Sequence, residues 1–475
     1  MGIVLALHWL SAKPRIMALY ILCALPLGVF TAVVTPPGQV PDEPAHMARA
    51  AGLLHGAVLA ARKSPDTTGV MVDSGLFRVA FGLTTAIGGR NLVTLANLNA
   101  IRSEPPSHAC MFAAIPNTAT YFPAAYLPAT IGLAFGLLFR ISPFDCMILA
   151  RLCMLGTVLL LGSLALRLAA YGEALLLCIL LLPMTIFLAG SLNEDGVLIG
   201  LGCLSAAAFT RNLSDEAGFR WVALLPLILI LCCKPPYLPL LGLALLPLTA
   251  AGFWRRVLDM ALAAAPVVIW VVLIAAFVVV PFGMPPYHPG PLFAGDPSII
   301  LQHTDPHRNL HILLAEPGRF FSLPWRLLLG SGRLLLCEMI GYLGLLDLIF
   351  PWRFYLAWTI ALLAAVLGLV VAERQRNSSA RNAILQSFHV LLLLVLSVWA
   401  VTISLYLSWS LVGSATIEGV QGRYFLVLLP FLLLAVPHWR RCHIPAIAAA
   451  LPAIALGIYD LGYVPMKIVS FFYIY

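Results

Sequence analysis

The chain has 475 residues, 61% hydrophobic and only 10% charged, with a mean hydropathy of +0.97. That balance excludes the soluble globular classes and points to an integral membrane protein. The formal charge of +8 comes from basic residues scattered among short loops, without the stripe a polyanion needs, so nucleic acid is excluded as a partner.

The first apolar run, 17–34, follows Lys13 and Arg15. No small-residue cleavage site succeeds it, so it is expected to stay as a membrane helix that also directs targeting. Further runs of spanning length occupy 145–167, 173–190, 195–211, 220–233, 237–253, 256–280, 354–372, 386–406, 424–438 and 444–464. Two more, 124–139 and 325–350, read as partial or interfacial helices, the second because Arg326, Arg333, Glu338 and Asp347 interrupt it. Counting eleven crossings gathers Lys13, Arg15, Arg167, Arg211, Arg220, Arg255, Arg256, Arg374, Arg376, Arg381, Arg440 and Arg441 on one side. By the positive-inside rule that side is cytoplasmic, as is the N-terminus. The expected fold is therefore all-α: one polytopic membrane domain over 1–475, with about eleven spanning helices, two partial or interfacial helices and two long outer loops, 35–144 and 281–352. The prolines, aromatics and apolar residues of those loops suggest ordered interfacial helices. Most of the ten cysteines sit in apolar runs as small hydrophobes.

Four clusters fall on the outer face. In "TPPGQVPDEPAHMARAAGLLHG", Pro44 suits the first turn of a helix with Asp42 or Glu43 near its cap, running to about Leu54 with Gly56 as its stop. Glu43 and His46, three apart, share a face, and Arg49 follows three residues later; such a face can hold a metal ion or a phosphate-bearing group. The plainer alternative is a capped interfacial helix whose charges meet water. "SLNEDG" supplies Asn193, Glu194 and Asp195; alone it reads as a polar turn, and it gains weight from lying on the same side as Asp42. In "CCKPPYLP", Lys234 is a lone cation on the outer face, against the sidedness trend, with Tyr237 close behind; snorkelling is the bland option. "EGVQGRYF" brings Glu418, Gln421, Arg423 and Tyr424, where arginine suits forked contact with phosphate or, alternatively, anchors a helix at headgroup level. Arg102, Glu104, His108, Tyr121, Arg151, Tyr287, His288, His303 and His307 also lie outside, with no spacing that fixes a role. The histidines form no metal signature.

"TPPGQVPDEPAHMARA", "YFPAAYLPA", "RLCMLG", "LLPMTIFLAGSLNEDG", "KPPYLPLL", "GYLGLLD" and "QGRYFLVLLP" resemble, in that order, the motifs of the bacterial membrane proteins grouped as domain-of-unknown-function family 2142, from Thr35 to about Pro430. Met47 departs from the aromatic residue often found there. That family is in turn similar to the GT-C glycosyltransferases, which use sugars carried on polyprenyl phosphates. The resemblance implies a catalytic carboxylate after the first helix, a second acidic site after the third and a long outer loop after the seventh. The charge-based count puts Asp42, "SLNEDG" and 281–352 at those places.

The expected activity is transfer of a sugar, with inversion, from a polyprenyl-phosphate donor to an acceptor hydroxyl on the extracytoplasmic face of a bacterial inner membrane. Such chemistry needs a base for the acceptor proton and cations for the leaving phosphate. Asp42 is taken as the base, with Glu43 its alternate. Lys234 and Arg423 would bind the lipid phosphate, and His46, Arg49, Glu194, Asp195, Tyr237 and Gln421 would complete the substrate site. No cofactor is demanded; a divalent cation is compatible with Glu43, His46 and Asp195 as ligands. Partners are the lipid-linked sugar, membrane lipids and an envelope glycan, lipid or protein acceptor. The rival readings are a lipid-linked-saccharide flippase or transporter and a noncatalytic scaffold that binds polyprenyl lipids.

Overall fold

The structure, a computed structural model, describes residues 2–64, 67–86, 93–107, 109–213, 219–248, 251–279, 305–371, 380–435 and 446–474. His108, Tyr287, His288, His303, Arg374, Arg376, Arg440 and Arg441 lie outside the described residues, as do residues 281–304.

The chain is mainly helical. It opens with α1 (Gly2–Val34) and α2 (Glu43–Leu54), then α3 (Ser74–Ala86), α4 (Leu95–Arg102) and α5 (Leu127–Leu138). There follow α6 (Pro143–Leu168), α7 (Glu173–Leu181), α8 (Pro183–Ala189), α9 (Asp195–Leu213), α10 (Arg220–Cys233) and α11 (Phe253–Phe277). After the undescribed loop come α12 (Pro306–Ala315), α13 (Gly318–Gly341), α14 (Trp352–Val371), α15 (Ala380–Ser408), α16 (Leu432–Ala435) and α17 (Ala446–Phe472). Among the described residues, seven helices are long and apolar enough to cross a membrane: those in α1, α6, α9, α11, α14, α15 and α17.

The remaining apolar runs are shorter or broken. Run 173–190 divides into α7 and α8 at Pro183, which has no N–H to give and leaves Leu182 extended at ψ 134°. Run 237–253 begins as an 11-residue 3-10 helix, Pro235–Leu245, and 424–438 as short turns leading into α16. The segment 124–139 is α5 with a 3-10 turn before it. It lies against α6 because Gly132 and Gly136 admit the backbone at Ala150 and Cys146 to within about a Cβ's width.

The all-α expectation needs one correction. The segment between α1 and α5 contains a three-stranded antiparallel sheet, β1 (Ala61–Ser64), β2 (Thr67–Asp73) and β3 (Cys110–Ala114), in that order. Val70 and Val72 of β2, two apart, are both buried, as the two-residue period of a strand requires. Gly52 of α2 lets Val70 pack directly on that helix; a Cβ there would stand 2.8 Å from the valine Cβ. The sheet thus braces α2, which carries His46 and, at its cap, Asp42.

Candidate functional site

The segments that hold Asp42, Glu194, Lys234 and Arg423 contribute to a connected set of buried ionic groups. α2 runs over Glu43–Leu54, with Pro44 in its first turn and Gly56 at φ 77° just past its end, matching the sequence expectation. Asp42 stands at the N-cap, but its side chain does not cap the helix. Its backbone is left-handed, φ 60° and ψ 4°, a conformation that costs a non-glycine residue roughly 1–3 kcal/mol and is tolerated best by Asn and Asp. The carboxylate turns instead to Arg423, whose Nη2 donates to Oδ2 at 2.6 Å, while Asn117 Nδ2 lies 3.4 Å from Oδ1. The Asp42 side chain keeps 41% of its surface exposed, against 2% for Arg423.

From this exposed end the charges alternate inward. Arg423 also reaches Asp195, Nη1 to Oδ2 at 3.5 Å, and its Nε donates to Gln421 Oε1 at 2.6 Å. Lys234 pairs with Asp195 on the carboxylate's other oxygen and lies 3.6 Å from Glu194 Oε1. Glu194 Oε2 accepts from His46 Nδ1 at 2.7 Å and from the Tyr126 hydroxyl at 3.0 Å. Because a carboxylate can only accept, the imidazole proton sits on Nδ1. The order is Asp42, Arg423, Asp195, Lys234, Glu194, His46, a file in which acidic and basic side chains alternate, drawn from four separate segments. Burial alone would raise the Asp42 carboxyl, but Arg423 and then His46 outweigh it and hold it below the usual carboxylate range. Glu194, also penalised by burial, is held down to about 2 by His46 and Lys234.

Aromatic rings close the sides. The Lys234 ammonium lies 5.0 Å from the Tyr424 ring centroid and 5.7 Å from that of Tyr121; Arg423 is 5.3 Å from the Tyr424 ring. His46 stacks between Tyr121 and Tyr126, centroids 6.1 and 5.9 Å away. Tyr237 is buried beneath and donates its hydroxyl to Tyr424 O at 2.6 Å, so it supports the turn rather than facing a ligand.

"SLNEDG" is not an ordinary solvated turn. Asn193 accepts from Asp195 N, the first N–H of α9, at 2.8 Å and donates to Pro41 O at 3.0 Å, tying the two acidic segments together. Asn193, Glu194 and Asp195 are all fully or almost fully buried. Glu418, by contrast, stays outside the file and is exposed.

Glu43 and Arg49 do not fit the roles expected for them. Glu43 is completely buried and fully engaged: Arg151 Nε and Nη2 grip its two oxygens at 2.8 and 2.6 Å, and Gly38 N and Leu192 N each donate from 3.2 Å. Arg151 spends its remaining donors on Ala32 O, Thr35 O and Pro36 O. Such a carboxylate has no lone pair left for a proton or a metal. Arg49 hands its guanidinium to three backbone carbonyls, Ala57, Val58 and Tyr121, and so clasps the end of its own helix. Glu43, His46 and Asp195 do not converge, and among the described residues no group of three or more His, Cys, Asp or Glu side chains could hold a metal ion. Each of the three instead has a partner of its own.

The sequence reading passed over Tyr126 and Asn117 and gave Arg151 no role. A signal existed for Arg151, a cation set inside the apolar length of α6, where an ion demands a partner. Glu338, read only as an interruption, is buried and accepts from Gly422 N at 2.7 Å, steadying the turn that carries Arg423.

Comparison with curated proteins and with solved structures finds no match. A family model described as "Predicted membrane protein (DUF2142)" matches residues 19–432, most of the chain, and the protein therefore belongs to the DUF2142 family of membrane proteins.

Proposed function

We propose that this protein is a GT-C-like membrane glycosyltransferase that moves a sugar from a polyprenyl phosphate to an acceptor hydroxyl at the extracytoplasmic surface of a bacterial inner membrane. In this reading eleven segments cross the bilayer, four of them as short or broken helices. The observation that carries it is the pairing of the half-exposed Asp42 carboxylate with Arg423, backed by Lys234, at the end of an otherwise buried ionic file. A base stands beside the cations a leaving phosphate needs.

The acceptor hydroxyl attacks the anomeric carbon on the face opposite the phosphate and gives its proton to Asp42. The bond from that carbon to the phosphate oxygen breaks, and its electron pair stays on the phosphate. Arg423 and Lys234 take up the charge there. Before substrate arrives, Arg423 makes Asp42 a weak base; a lipid phosphate drawing on the same guanidinium loosens that pair and returns basicity to the carboxylate. Binding and activation are then one event.

A pH dependence follows. The Asp42 carboxyl is depressed in the free protein, so its ionised form persists below the usual carboxylate value and is lost only as pH falls through the lowered one. The acid limb of kcat/KM is expected below about pH 4. In Arg423→Gln, His46 alone is left to oppose burial and Glu194, and the limb moves upward.

The testing experiment supplies purified protein with a radiolabelled polyprenyl-phosphate sugar pool and an envelope acceptor fraction. Transfer that disappears in Asp42→Asn supports the reading; full transfer by that variant refutes Asp42 as base. One feature favours a second reading, a flippase: the broken α7–α8 pair leads straight into Asn193–Asp195, as discontinuous helices do at transporter sites. Movement of the intact lipid-linked sugar between leaflets of a proteoliposome, without transfer, decides for it.

A further inference from the structure

α13 carries a pattern that the ionic file does not use. Arg319, Arg326 and Arg333 recur every seven residues, so they drift by only about 20° per step and form a single row. Beside that row, Phe321, Trp325 and Leu329, each four apart, make a ridge left 66%, 57% and 71% exposed. The opposite face, with Leu323, Pro324, Leu335 and Glu338, is packed into the protein. A soluble surface would not display that ridge; a helix lying in a membrane interface would, with its apolar side chains in hydrocarbon and its cations at headgroup level.

The fold supplies the depth. The Arg333 guanidinium lies 5.8 Å from the ring centroid of Trp352, the first residue of the apolar stretch Trp352–Leu369 in α14. Tryptophan at the start of a span marks the headgroup region. At the other end of α13, Trp399 donates to Phe320 O at 3.2 Å, anchoring the helix against α15. Arg319 is taken by Glu316 at 2.6 Å and by Gly413 O. Arg326 and Arg333 are exposed, and among the described residues no carboxylate pairs with either.

We infer that α13 lies in the membrane surface and that Arg326 and Arg333 bind the phosphate groups of anionic phospholipids in the adjoining leaflet. Two guanidiniums at headgroup depth, flanked by an apolar ridge, match a lipid phosphate in both charge and position. The contact also bears on the site. Glu338, on the buried face of the same helix, holds Gly422 N, and a Cβ on Gly422 would stand 1.9 Å from Leu335 O. The position of α13 therefore sets the turn that carries Arg423. The inference does not depend on sugar transfer.

The test uses delipidated full-length protein given equal amounts of phosphatidylglycerol and phosphatidylcholine with the same acyl chains, and native mass spectrometry counts the retained lipid. Wild type is expected to prefer phosphatidylglycerol. Arg326→Gln with Arg333→Gln should lower that retention roughly 10- to 30-fold, and Arg326→Lys with Arg333→Lys should keep most of it. No preference in wild type, equal retention by the glutamine variant, or loss in the lysine variant as complete as in the glutamine one would overturn the inference. So would displacement of phosphatidylglycerol from these arginines by polyprenyl phosphate at equal concentration.

Discussion

Asp42→Asn is expected to lower sugar transfer by about 10²- to 10⁴-fold, the range over which a positioned general base contributes, with the folded protein intact. The two halves of that expectation have separate grounds. Asparagine keeps the size and shape of the side chain and accepts the left-handed backbone at φ 60° as readily as aspartate does. Asp42 is 41% exposed, so losing its charge leaves no stranded group in the core, and Arg423 still has Asp195. With Asp42 half-exposed and Asp195 still beside the buried Arg423, the lost contact costs about 1 kcal/mol of stability. Reactivity, by contrast, is removed outright, because an amide takes no proton at neutral pH. Comparing initial transfer rates at matched amounts of folded protein measures the effect. Rates within threefold of wild type would remove Asp42 from the chemistry.

The opposite outcome is expected one residue later. Arg151→Met should destabilise the protein by about 3–5 kcal/mol, the cost of leaving a buried charge without its partner. Glu43 and Arg151 are both fully buried, and the guanidinium also closes the carbonyls of Ala32, Thr35 and Pro36 at the end of α1. Adding Glu43→Gln to Arg151→Met removes the stranded carboxylate and should recover a good part of the loss. Thermal unfolding in detergent, read by tryptophan fluorescence, reports both. If Arg151→Met unfolds with wild type, the pair does not hold α1 to α2 as described. Glu43→Gln should lower transfer only as far as it lowers the amount of folded protein, which separates a clamp from a base.

These neighbouring carboxylates show where sequence reading reached its limit. Asp42 and Glu43 look interchangeable in "PDEP". What separates them is tertiary: Arg151 lies 108 positions from Glu43, and Arg423 lies 381 from Asp42. No local period encodes such pairings. The boundaries of α2 were legible because proline and glycine act within a turn of where they stand. The long apolar helices were legible for a similar reason, since hydrocarbon imposes a length and a composition on each one separately. The sheet between α1 and α5 was not. Its strands run four to seven residues, and only Val70 and Val72, set against α2, show a buried alternation. Pro183 was in plain view within an apolar run, and the break it makes follows from its missing N–H. The convergence of Asp42, Asp195, Lys234 and Arg423 was an expectation built from sidedness, and their contacts in space follow it. Sidedness says which residues share a surface. It does not say which of them touch, which is why Arg49 and Tyr237 were grouped with a site they only support.

The central claim is that the alternating ionic file recognises a lipid phosphate, and equilibrium binding of polyprenyl phosphate without its sugar tests it apart from any turnover. Wild type in neutral phosphatidylcholine nanodiscs should bind polyprenyl phosphate and leave the uncharged polyprenol unbound. Arg423→Gln and Lys234→Met should each weaken binding about tenfold or more, the loss of one charge-assisted phosphate contact, while Asp42→Asn should bind at least as tightly as wild type, since it frees Arg423. Equal affinity for the phosphate and the alcohol, or unchanged affinity in both cation variants, would contradict the account.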